Sequence, residues 1–187
     1  MDILNNCELL PLTTNYFKIK ASPRTDYFID RLTKVNITNA PFYYETVDFD
    51  FEIQVHIKPI FCSTYDAGGI LILDDNEHWI KAAFELTDLG YHSIVSVVTN
   101  ETSDDCNGEI INNDSIFLRI LRRGDYFAIH HSDNGVTWKM NRYFQLNLKR
   151  KIKIGLIAQS PVGNGIEVDF SDLVIAENRY QDLRNGK

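Results

Sequence analysis

The chain is poor in cysteine. Cys7, Cys62 and Cys106 are odd in number and far apart, which gives no disulfide framework and no paired CxxC for a structural zinc site, so reduced thiols are expected. Glycine and proline are also scarce, with 10 and 5 among 187 residues, too few for a low-complexity or disordered chain. No apolar stretch approaches the ~18 residues of a membrane helix. Met1-Asp2-Ile3-Leu4-Asn5-Asn6 lacks the basic start and apolar run of a secretory leader, so the expected location is cytoplasmic. The sequons at Asn36, Asn100 and Asn113 are discounted on that ground, since glycosylation requires secretion.

Positive charge is the other deficit. Nineteen Lys and Arg stand against 26 Asp and Glu, a net charge of −7, and the pI is about 5.2. Such a field repels nucleic-acid backbones and anionic bilayers, so neither nucleic acid nor membrane is an expected partner. Several reaction signatures are missing too: no HExxH, no GxSxG elbow and no glycine-rich phosphate loop. His56, His78, His92, His130 and His131 are scattered. Asp74-Asp75-Asn76-Glu77 and Asp104-Asp105-Cys106-Asn107-Gly108 are acidic, but neither has the ligand order of an EF-hand and both read as solvated turns. No metal and no cofactor is expected, with calcium in an acidic loop left open.

What the chain does have is 44% hydrophobic and 12% aromatic residues, enough for a full core. Short β-branched and aromatic runs recur between turn residues, which predicts an all-β protein with strands near 16–20, 49–58, 68–73, 78–87, 92–99, 116–122, 126–131, 138–144, 151–159 and 166–175. All-β units of ~200 residues commonly form one domain, so 1–187 is read as one unit. In 49–58 the apolar Phe51, Ile53, Val55 and Ile57 alternate with Glu52, Gln54, His56 and Lys58, the pattern of an antiparallel sheet with one wet face. So many strands would curl a single sheet, and a two-sheet antiparallel sandwich or jelly roll is the economical solution.

The organising stretch is Trp79-Ile80-Lys81-Ala82-Ala83-Phe84-Glu85, read as a half-buried strand with Trp79, Lys81 and Glu85 on its solvent side. An exposed aromatic ring can stack on a flat ligand or merely pack. Lys81 and Glu85 lie four residues apart, ~13 Å along a strand, so they need a mediator or separate cross-strand partners. Gly68 and Gly69 nearby would thin a strand and let a ligand approach. Tyr65 and Asp66 can bond ligand hydroxyls, and Asp66 can equally bond the turn backbone. Asn100 can read hydroxyls or cap its loop.

Turns set the register. Gly124-Asp125 fits a two-residue hairpin loop that places Arg119 opposite His130 on one face, with Leu118, Ile120, Phe127 and Ile129 on the other. Ser132-Asp133-Asn134-Gly135 is a turn first, and a sialidase reading of it is rejected. A two-residue Leu89-Gly90 loop would put Ser96 and Asn100 on the face of Trp79 and Lys81.

The segments Thr25-Asp26-Tyr27-Phe28, Tyr65-Asp66-Ala67-Gly68-Gly69, Trp79 to Glu85, Ser96-Val97-Val98-Thr99-Asn100, Ser132-Asp133-Asn134-Gly135 and Gly155-Leu156-Ile157-Ala158-Gln159-Ser160-Pro161 occur in order. Together they resemble the regulation-of-enolase-type family of concanavalin A-like domains, over roughly Leu9 to Ile175. The resemblance implies a lectin/glucanase-type jelly roll. This chain departs from it in having Cys7-Glu8 where the family commonly has an aromatic, and Asp105 where it commonly has a tryptophan.

Glycoside hydrolysis needs two carboxyl groups ~5–10 Å apart, and the Glu-x-Asp-x-x-Glu strand of laminarinase-type glucanases is absent. The expected function is a non-catalytic module binding a carbohydrate or other small polyol in one groove. Tyr65, Asp66, Trp79, Lys81, Glu85, Asn100, Arg119 and His130 would form it. If those faces coincide, Lys81 and Arg119 would hold Glu85 ionised and His130 would titrate near neutral pH. The alternatives are an enzyme acting on a sugar derivative with Glu85 as acid or base, and a ligand-free regulatory interaction module whose protein partner the residues do not specify.

Overall fold

The structure, a computed structural model, describes residues 1–6, 8–13 and 15–186, the side chain of Leu12 excepted. Cys7 lies outside the described residues, while Cys62 and Cys106 are free and exposed. In chain order the strands are β1 (Asp2–Leu4), β2 (Glu8–Thr13), β3 (Tyr16–Ala21), β4 (Tyr27–Asp30), β5 (Val35–Thr38), β6 (Phe42–Val47), β7 (Phe51–Pro59) and β8 (Ala67–Asp75). There follow β9 (His78–Leu86), β10 (His92–Asn100), β11 (Thr102–Ile110), β12 (Ile116–Arg123), β13 (Tyr126–Ser132), β14 (Lys139–Gln145), β15 (Ile152–Gln159) and β16 (Ile166–Glu177).

They form two large antiparallel sheets and a small hairpin. The first sheet runs β1-β6-β15-β8-β9-β10-β11, the second β14-β13-β12-β7-β16-β3-β2, and β4 pairs only with β5. The sheets face each other across one apolar layer. Alternation explains which residues enter it: Ile53, Val55 and Ile57 of β7 meet Leu118, Ile120, Phe127 and Ile129 of the second sheet and Ile80, Ala82, Phe84, Ile94 and Val98 of the first. Gly68 faces this layer rather than a ligand, because a Cβ there would run into Val168 and Ile57 of the opposite sheet.

The expected all-β sandwich is thus present, and every expected strand has its counterpart. The elements outside that expectation are β1, β2, β4, β5, β6 and β11. The last corrects a reading: Asp104 to Gly108 is an edge strand, not a turn. Its polar, exposed side chains suit an edge that must not recruit further strands.

The Gly124-Asp125 hairpin has the expected register, with Arg119 opposite His130 and Ile120 opposite Ile129. Ser132 to Gly135 is a turn, in which Ser132 Oγ accepts from the backbone N–H of Gly135 at 2.9 Å and Asn134 Oδ1 from that of Thr137 at 2.9 Å. The β9–β10 connection differs from expectation. Leu86 pairs with His92 and Lys81 with Val97, so the loop is longer than Leu89-Gly90 and the parity reverses. Val95 and Val97, not Ser96 and Asn100, share the face of Trp79 and Lys81.

Both outer faces are covered. On the first sheet, Leu71, Leu73, Trp79, Val95 and Val97 pack under Tyr27 and Ile29 of the β4–β5 hairpin. On the second, Leu121 and Ala128 pack under Tyr180 and Leu183 of the C-terminal stretch. Central strands β8, β9 and β10 are therefore buried on both sides, and the half-buried reading of β9 is corrected.

Candidate functional site

Odd positions of β9 point to the outer face of the first sheet, and its far end is roofed. Trp79 is 0% exposed, with its ring edge-on to Tyr27 at 5.7 Å. It anchors the hairpin and offers no stacking surface to solvent, contrary to expectation.

Lys81, 2% exposed, donates to Asp26 Oδ1 at 2.9 Å, Tyr27 O at 3.0 Å and Gln159 Oε1 at 2.8 Å. An ammonium has three hydrogens, and all three are used. Gln159 then donates from Nε2 to Tyr65 O at 3.3 Å and Glu85 Oε2 at 3.5 Å. It is the mediator between Lys81 and Glu85, level with Glu85 across Ala67.

Between Lys81 and Glu85 stands Ala83, flanked by Gly69 and Val95. The small side chains leave a hollow of about 240 Å³. Asp26, Tyr65, Lys81, Glu85, Asp105 and Gln159 form its polar wall, and Phe28, Val95 and Val97 its apolar one.

Glu85 is 7% exposed, and burial pushes its carboxyl up to about 8, with Lys81 opposing and Asp105, Asp26 and Asp88 reinforcing. Its acid form is favoured near neutral pH, because the Arg119 charge that would have helped to hold it ionised lies on the other sheet. Burial also raises Asp105, again against Lys81, and the Tyr65 phenol.

Tyr65 stands at the lip in a left-handed conformation, φ 67°, a backbone state that costs a non-glycine residue ~1–3 kcal/mol. Asp66 holds it there. Its Oδ2 accepts from the N–H of Cys62 at 3.0 Å and of Ser63 at 2.9 Å, and its Oδ1 from the Ser160 hydroxyl at 2.6 Å. Wholly buried, Asp66 serves the turn and the expected ligand role is corrected. Asn100 ends β10 opposite His78, at the other end of the strand pair from Glu85, and does not line the hollow.

Arg119 and His130 belong to the second sheet and point outward from it, so the core separates them from Glu85 and the single groove does not exist. The Arg119 guanidinium lies 4.1 Å from the Trp138 ring centroid and 4.9 Å from that of Tyr180. It donates to Tyr180 Oη at 3.0 Å and Gly186 O at 3.2 Å. His130 Nε2 faces Arg184 O at 3.4 Å. Burial, then the Arg119 charge, push His130 down to about 4, so it stays neutral near pH 7. These two residues clamp the C-terminal stretch. Arg119→Met should cost ~2–4 kcal/mol by orphaning those partners. Limited trypsin digestion should then cut at Arg179 and Arg184 well before the rest of the chain, and unchanged digestion would refute the clamp.

No group of three His, Cys, Asp or Glu placed to hold a metal occurs among the described residues. The sequence reading missed Asp26, Phe28, Gln159, Val95, Val97 and Asp105. The first three and Val97 lie within the ordered segments quoted above, and five of those six segments supply cavity residues, a convergence that points to them as a set. Asp105 was hidden by its reading as a turn.

A two-sheet antiparallel sandwich is a fold this chain shares with lectin-like and GH43 β-sandwich structures. The chain belongs to the DUF1349 family, described as protein of unknown function, which it matches over residues 5–178. It is 26% identical over 155 residues to "Regulation of enolase protein 1" of Saccharomyces cerevisiae, covering 82% of this chain and 78% of the relative. Among solved structures it resembles a functionally unknown protein from S. cerevisiae, with a TM-score of 0.89, 22% identity, and 96% and 97% of the two chains covered. It also resembles a legume lectin-like domain from Entamoeba histolytica, with a TM-score of 0.60, 14% identity, and 95% and 89% covered. A xylan beta-1,4-xylosidase from Bacillus halodurans C-125 matches with a TM-score of 0.66 and 12% identity, over 87% of this chain but 33% of the enzyme. These structural likenesses speak to fold alone.

Proposed function

We propose that the protein is a binding module that takes a small hydroxylated ligand, a carbohydrate or polyol of about one ring, without transforming it. The hollow beside Glu85 carries the reading. Its volume of about 240 Å³ falls just below the ~300 Å³ where drug-sized ligand sites begin. Its walls combine three carboxyl groups, Asp26, Glu85 and Asp105, and a phenol with apolar surface, the mixture that orients a ring bearing hydroxyls. The lectin-like fold of the neighbours is compatible with this reading.

Hydrolysis is disfavoured by spacing. Glu85 is level with Ser93 and Ile110, and Asp105 with Val97 and Lys81. Their backbones are therefore two strands and about four residues apart, roughly 16 Å, so the two side chains would have to reach toward each other to bring their carboxyl groups within the ~5–10 Å needed across a glycosidic bond.

The test is a thermal-shift panel of mono- and oligosaccharides, sugar phosphates and amino alcohols, run beside chromogenic glycosides. At 100 times its Kd a ligand adds ~2.7 kcal/mol, roughly 5–10 °C for a chain of this size. Val95→Trp, which enlarges a residue of the apolar wall, should abolish the shift. Shifts that survive this variant would move the site elsewhere, and glycoside turnover lost in Glu85→Gln would favour the enzyme reading.

A further inference from the structure

We propose that the ligand of this hollow carries a positive charge: a small organic cation, with an amine or quaternary ammonium group on a body of amino-sugar or amino-alcohol size. The inference rests on the binding reading above and names its ligand class.

The hydrogen-bonding inventory of the walls is lopsided. The three Lys81 hydrogens go to Asp26, Tyr27 O and Gln159, and Gln159 Nε2 is committed to Tyr65 O and Glu85. The one cation in the wall is thus enclosed, and the one amide donor is occupied. What remains open is rich in acceptors. Asp26 uses Oδ1 for Lys81 and for the Tyr27 N–H, and its Oδ2 accepts no hydrogen bond among the described residues. Asp105 rims the hollow. The Glu85 side chain, 7% exposed, is contacted at Oε2 only, and its Oε1 accepts no hydrogen bond among the described residues. A neutral sugar presents donors and acceptors in equal measure and would find two donors here, the O–H of the protonated Glu85 carboxyl and that of the Tyr65 phenol, against the open acceptors of Asp26 and Asp105. An ammonium presents donors alone or bare charge, and fits.

Charge and shape agree. Three carboxyl groups, Asp26, Glu85 and Asp105, line a space holding one ammonium, and Asp88 lies near enough to act on Glu85. Phe28 and Tyr65 supply aromatic surface, against which organic cations are stabilised. Val95 and Val97 accept the alkyl part.

A proton follows from this. Facing Glu85 are Lys81 from its own strand, Asp105 from β11, Asp26 from the start of β4, Asp88 from the β9–β10 loop and the Tyr65 phenol. A cation placed among them adds to Lys81 and favours the ionised form, so binding expels the Glu85 proton. The expelled proton goes to solvent, and affinity tightens as pH rises toward and past 8.

Choline is the probe, because its charge does not titrate, and 3,3-dimethylbutan-1-ol is its neutral isostere; glucosamine and glucose form a second pair. By calorimetry, choline should bind at least about tenfold more tightly than its isostere, and its affinity should rise about tenfold or more between pH 6 and 9. In Glu85→Gln, which keeps shape and removes the titration, the pH dependence should vanish. Val95→Trp, in the apolar wall, should abolish binding of all probes. If glucose and the neutral alcohol bind as well as their charged partners, the cation proposal fails while the binding module stands. If no member of either pair binds, both fall.

Discussion

Lys81→Met should destabilise the protein by ~3–5 kcal/mol, the range for removing one partner from a buried ion pair. The methionine fills the space but leaves Asp26 Oδ1, Tyr27 O and Gln159 Oε1 without the donor they share. Because Lys81 is 2% exposed, water cannot take its place. The damage should be local before it is global, since Asp26 and Tyr27 are the root of the β4–β5 hairpin. Denaturant unfolding gives the magnitude. Hydrogen exchange in Tyr27–Asp30 and Val35–Thr38 should accelerate ahead of β7 and β12. A loss under ~1 kcal/mol, or uniform exchange, would show that apolar packing around Trp79 holds the hairpin without the ammonium.

Glu85→Gln should raise stability by an amount that grows as pH rises above 4.5 and is largest at alkaline pH. The folded-state carboxyl is pushed from 4.5 to about 8, so the folded protein holds this proton more tightly than the unfolded chain does. Stability from it is complete below pH 4.5 and is lost as pH rises through about 8. At ~1.4 kcal/mol per unit, the loss is on the order of 3–5 kcal/mol by pH 9. The glutamine variant avoids it, so its Tm should exceed the wild type's by on the order of 10 °C at pH 9 and match it below pH 4.5. Parallel Tm curves would mean that Glu85 is better solvated than its burial indicates. His130 acts in the opposite sense. Lowered from 6.5 to about 4, it contributes stability that is complete above pH 6.5 and lost as pH falls through 4.

The parts of this fold legible in the sequence are those governed by nearest neighbours. In β7 the inside and outside could be told apart because Glu52, Gln54, His56 and Lys58 face polar surroundings while Phe51, Ile53, Val55 and Ile57 are buried. A two-residue turn with an unambiguous apolar partner set placed Arg119 against His130. Register relates adjacent strands only, however. Nothing in residues 116–131 reveals which of two sheets they enter, and the supposed groove joined residues that stand back to back.

Burial on both faces hid the rest. Strand β9 carries polar residues on its outer side, yet Trp79 and Lys81 lie against a hairpin whose strands are four residues each, too short to announce themselves by period. Gln159, the residue that links Lys81 to Glu85, is more than seventy positions from either. The missing mediator could be inferred from the strand spacing. Its identity could not, because that depends on β15 and β8 lying side by side.

The β4–β5 hairpin has one more consequence. By seating Tyr27 and Ile29 over Trp79 and Val97, it closes the outer face of the first sheet on one side of the hollow. A polymer laid along those strands would strike the hairpin, so the recess is a blind alley entered past Tyr65. A ligand of the proposed kind would have to arrive as a free molecule or as the last unit of a chain.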